Sequence, residues 1–70
     1  MRHVRKFRVR HDFSRYRPAQ WRDTDYARLF GPRNEGFVIE AIDLGEARSI
    51  VRERYRRNPF YTVITEEPRS

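Results

Sequence analysis

Eight basic side chains, Arg2, Arg5, Lys6, Arg8, Arg10, Arg15, Arg17 and Arg22, fall within the first twenty-two residues, and the one acid among them is Asp12. Phe7, Phe13, Tyr16 and Trp21 are interleaved with them. A guanidinium binds phosphate or carboxylate through two parallel hydrogen bonds and stacks on flat groups, which an ammonium does not do. Arginine among aromatics therefore suits backbone phosphates and unstacked bases. Like charges packed this closely repel one another, so a small domain that carries them is expected to meet an anionic partner. The candidate contact residues are Lys6, Arg8, Arg10, Arg15, Tyr16, Arg17, Trp21 and Arg22. Phe7 and Phe13 read as core, while Tyr16 and Trp21 fit either an interface or the closing of the core's open edge. A second group, Arg52, Arg54, Arg56 and Arg57, is interrupted by Glu53. It reads mainly as a solvated helix face, with Arg52, Arg56 and Arg57 as a secondary binding candidate. The partner can be nucleic acid or the acidic face of a protein, and the residues do not separate the two.

Catalytic chemistry finds little to work with. The two histidines, His3 and His11, are eight positions apart on an expected strand, a span of roughly 26 Å, so they do not form one site. His11 adjoins Asp12, but neighbours on a strand point to opposite faces. Ser14, Ser49 and Ser70 lack a nucleophile-elbow or triad context. Gly31, Gly36 and Gly45 do not form a phosphate-cradling loop, and there is no cysteine and no His pair at helical spacing for a metal. Asp23 and Asp25 read as the anions of a helix start. The reading is a non-enzymatic binding protein with no metal, no cofactor and no small-molecule substrate.

Seventy residues allow one domain, and a chain this short buries only about 60% of its unfolded surface. The net charge of +6 is lopsided. Residues 1–35 hold ten basic and four acidic side chains, and residues 36–70 hold six of each. Fifteen of the sixteen basic residues are arginine. A GC-rich coding sequence also enriches arginine, but does not cluster it. With no cysteine, no apolar run of about 20 residues and no apolar segment of the secretory type at the start, the expectation is a soluble protein of the cytoplasm, monomeric and without membrane contact.

These side chains need elements to position them. From Arg2 to Asp12, Phe7, Val9 and His11 alternate with Lys6, Arg8 and Arg10, which predicts a half-buried strand with Arg2 and Val4 on its charged face. Residues 14–35 are irregular, with a short helix expected from about Asp25 to Phe30, capped by Asp23 or Thr24 and closed by Gly31 before Pro32. A second strand is predicted over Gly36–Ile42. Asp43 with Glu46 three residues on signals a helix start. That helix is expected to run to about Arg57, burying Leu44, Ala47, Val51 and Tyr55 with Ile50 beside them, until Asn58-Pro59 stops it. Phe60 to Thr65 reads as a third strand. A right-handed strand–helix–strand crossover leaves room for the first strand between the other two. The fold class is α+β: a three-stranded sheet of order 2-1-3 with one main helix on one face and a short helix in the first long loop. Lys6, Arg8 and Arg10 then form a row on the uncovered face. The single domain divides into a basic strand-and-loop half (1–35), a strand–helix–strand half (36–66) and a flexible tail (67–70).

The stretch Phe37-Val38-Ile39-Glu40-Ala41-Ile42-Asp43-Leu44-Gly45-Glu46-Ala47-Arg48-Ser49-Ile50 is a strand, an acidic cap and a helix start. With its closing strand it resembles small phage-encoded inhibitors, among them type I anti-CRISPR proteins and phage inhibitors of host RNA polymerase. The resemblance covers residues 36–66. It implies a stoichiometric inhibitor without an active site, acting in a bacterial host's cytoplasm and blocking or altering target-DNA binding by a CRISPR surveillance complex. Many such blockers are acidic DNA mimics; this chain is basic, so the implied contact is with acidic protein or nucleic acid. Two alternatives stand beside it: a small DNA- or RNA-binding protein, ribosome-associated or regulatory, and a structural subunit of a larger assembly.

Overall fold

Alternation builds the central strand. In the computed structural model, which describes residues 3–68, strand β1 (Arg5–His11) buries Phe7, Val9 and His11 and turns Lys6, Arg8 and Arg10 the other way. Strand β2 (Phe37–Ala41) lies antiparallel along one side, with Phe7 opposite Ile39 and Arg8 opposite Val38. Strand β3 (Thr62–Glu66) lies antiparallel along the other side, with Val9 opposite Ile64 and Arg10 opposite Val63. The order is β2-β1-β3, as the sequence predicts.

Two helices close the same face. Helix α1 (Asp25–Phe30) buries Ala27 and Phe30, and helix α2 (Leu44–Glu53) buries Ala47 and Val51. Phe7, Val9, Phe30, Ile39, Ala41, Ala47 and Val51 form one core, with Trp21, Tyr26, Phe37 and Tyr55 packed around it. Helix α2 starts where its signal stands: Asp43 accepts from the Glu46 N–H at 2.8 Å, and the Glu46 carboxylate accepts from Ile42 N–H at 3.1 Å. Thr24 is the N-cap of α1 without a side-chain cap bond, and Gly31 closes it at φ 87°.

Several boundaries differ from the sequence reading. Strand β1 begins at Arg5; Arg2, placed on its charged face, lies outside the described residues. Helix α2 ends at Glu53, not near Arg57: the Tyr55 N–H leaves the helical ladder for the Ile50 carbonyl five residues back at 3.4 Å, and the backbone then turns left-handed at Arg56 (φ 55°). Phe60 belongs to a 3-10 turn (Pro59–Tyr61), not to the third strand, because Pro59 at its start and the Asn58 side chain, accepting from Phe60 N–H, set a helical turn. Leu44, expected in the core, is 47% exposed at the first turn of α2. Glu67, expected in a flexible tail, continues the ladder by donating its N–H to the Lys6 carbonyl at 2.8 Å.

Candidate functional site

The open face of the sheet carries Lys6, Arg8 and Arg10 down its middle strand. In an antiparallel pair, residues directly opposite share a face. Val38 and Glu40 of β2 therefore stand beside Arg8 and Lys6, and Val63 and Thr65 of β3 stand beside Arg10 and Arg8. Val4, Val38 and Val63 are the exposed valines of the molecule. The alternation of β1 pointed to the basic row; its valine and glutamate neighbours were readable in β2 and β3 but carried no charge surplus to draw attention.

This row is partly neutralised. The Arg8 guanidinium pairs with the Glu67 carboxylate and donates to the Glu35 carbonyl at 3.0 Å. Glu40 lies directly across from Lys6. Arg10 and Lys6 are exposed. Face and charge together give a flat, β-branched, mixed-charge surface with two outstanding cations.

The loop candidates lie elsewhere. Arg15 pairs with Asp12 at 3.4 Å and caps the exposed Phe60 ring, 4.3 Å from its centroid. Arg17 donates to the Phe13 carbonyl at 3.2 Å. Arg22 is exposed. Trp21 donates from Nε1 to the Pro32 carbonyl at 3.0 Å and packs 4.7 Å from Phe13, so it closes the core's edge. Tyr16 is 43% exposed but leans on Tyr26 and Tyr61. Arginine and aromatics that interleave in sequence are thus separated in space: most of the rings pack on the helix side, and the sheet's open face has none.

His11 is the buried polar residue, 2% exposed, ringed by Phe13, Tyr16, Trp21, Tyr26 and Phe30 at centroid distances of 4.6–6.0 Å. A carbonyl accepts only, so the 2.8 Å contact to the Tyr16 carbonyl puts the proton on Nε2. Its Nδ1 has no partner. The Ser14 hydroxyl and N–H both donate to Asp12, and with Arg15 they hold that carboxyl below its ordinary value. His11 is therefore a packed histidine, as the sequence suggested. Among the described residues no group of three His, Cys, Asp or Glu side chains is placed to hold a metal, and no helix is long and apolar enough to cross a membrane.

The secondary group converges. Arg52, Arg56 and Arg57 line one open cleft with Asn58 and Pro59. Beyond Pro59 a second cleft is lined by Arg15, Arg48, Asp12 and Phe60. Arg48, Asn58 and Pro59 were not singled out from sequence; the turn that gathers them depends on the left-handed Arg56, which has no sequence signature without glycine. No family model, curated protein or solved structure matches the chain.

Proposed function

We propose that the chain acts by binding, not catalysis, and that it docks through its open sheet face on an acidic protein surface of a nucleic-acid-handling complex. The observation that carries this reading is the composition of that face: Lys6 and Arg10 stand out among Val4, Val38, Val63 and Thr65, with Glu40 and Glu67 beside them. A phosphate track does not interleave carboxylates and valines. A protein interface does, because an apolar centre with a polar rim is its ordinary composition. The inward-facing rings weigh against base stacking as the mode of contact. The sharpest form, suggested by the likeness of residues 36–66 to phage inhibitors, is anti-CRISPR activity against a type I surveillance complex.

The test uses two arms. The chain and its Lys6→Ala/Arg10→Ala/Val38→Ser variant are titrated against a purified guide-loaded type I surveillance complex. Both are also titrated against bare duplex and single-stranded DNA and RNA at roughly 50 and 200 mM salt. The expected result is that the variant loses affinity for the complex, while any binding to bare nucleic acid is unchanged. If the variant instead loses salt-sensitive binding to bare nucleic acid and the complex is not bound, the chain is a direct nucleic-acid-binding protein.

A further inference from the structure

Arg52, Arg56 and Arg57 meet at the C-terminal end of α2 around an open cleft of about 400 Å3, lined also by Asn58 and Pro59. The Asn58 side-chain oxygen accepts from the Phe60 N–H at 2.9 Å, and its NH2 group is a further donor. Among the described residues no carboxylate lines the cleft. Arg5, Arg8, Arg15 and Arg28 each pair with an acid, whereas Arg52, Arg56 and Arg57 form no ion pair among the described residues.

Two further observations single this place out. Arg56 sits at φ 55°, a conformation that glycine or asparagine adopts most readily. The Arg57 N–H bonds the Val51 carbonyl six residues back at 3.1 Å, which ties the turn carrying Arg56 onto the last turn of α2. Beside it, the Arg57 guanidinium lies 5.1 Å from the centroid of Tyr26, and its Nε is buried without a partner among the described residues. Arg57 is thus held in place by packing, while Arg52 and Arg56 are exposed and able to close on a ligand.

We infer that this cleft binds a phosphate group. Planar guanidinium forks match phosphate oxygens two at a time. The C-terminus of a helix contributes roughly half a negative charge, which opposes an anion, but three formal positive charges outweigh it. The phosphate can come from a small molecule or from a nucleic-acid strand. This inference is independent of the docking role of the sheet face, which uses different residues on a different element.

Arginine Nε–Hε signals of the isotopically labelled chain are followed by NMR as inorganic phosphate is added, with chloride at matched ionic strength as the reference. Adenosine monophosphate and a short oligonucleotide, with and without a 5′-phosphate, form the second series. The expected result is saturable movement confined to Arg52, Arg56 and Arg57. Arg56→Gly should raise Tm by about 4 °C by relieving the positive φ. Arg52→Gln/Arg56→Gly, which removes two guanidinium contacts, should weaken phosphate binding by at least about tenfold. Movement with the unphosphorylated oligonucleotide assigns the site to a backbone diester; movement only with terminal or free phosphate assigns it to a monoester. The inference is overturned if phosphate moves these signals no more than chloride does, or if the double variant binds phosphate as tightly as the parent chain.

Discussion

At Gly36 the backbone has φ 79°, and a Cβ built there would run into the Val9 carbonyl of the neighbouring strand. The Gly36 N–H also bonds the Phe30 carbonyl at 2.7 Å, tying the end of α1 to the start of β2. Gly36→Ala is therefore expected to cost roughly 2–3 kcal/mol, read by chemical denaturation. Asp12 supplies a pH signature. Its folded-state carboxyl lies below the ordinary value of 3.8, chiefly because the Ser14 hydroxyl donates to it, with the Ser14 N–H and Arg15 adding to the effect. A depressed carboxyl contributes stability that is present above its unfolded value and lost as pH falls through the folded one. Asp12→Asn should thus lower Tm at neutral pH and flatten its decline below about pH 4. The burial of His11 was legible, because it continues the Phe7 and Val9 series. The five rings around it were not, since four of them, Tyr16, Trp21, Tyr26 and Phe30, come from a stretch without periodicity whose packing is set by tertiary contacts.

The elements followed their signals where those signals were local. Asp43 with Glu46 marked the start of α2, and the Asp43 carboxylate accepts the Glu46 N–H there. Asp43→Ala should cost about 1 kcal/mol in urea denaturation, the usual value of an N-cap bond. The end of α2 was misread by about four residues. A helix that closes through an arginine in the left-handed region gives no glycine to read, so Asn58-Pro59 looked like the stop. The start of β3 likewise moves from Phe60 to Thr62, because Pro59–Tyr61 forms a 3-10 turn ahead of it.

For the whole molecule, sheet order followed from connectivity: a crossover of one helix between β2 and β3 leaves one slot between them, and β1 fills it. Charge distribution was legible only in part. The surplus in the first half is plain in the sequence, but Arg8 and Glu67 are 59 positions apart, and nothing local announces that they pair. Their pairing puts a carboxylate among the cations of the open face and makes it a mixed surface. Arg52, Arg56 and Arg57, without an ion pair among the described residues, gather instead around one cleft at the end of α2.

The proposed docking role of the open sheet face is tested most directly by target-DNA binding of a type I surveillance complex, measured as the chain is titrated in. The wild type is expected to change target binding with an endpoint at a fixed molar ratio. A Lys6→Glu/Arg10→Glu chain with unaltered Tm should need at least about tenfold more protein to do so, the cost of one lost contact of 1.4 kcal/mol. Equal potency of the two chains would contradict the assignment of the contact to this face.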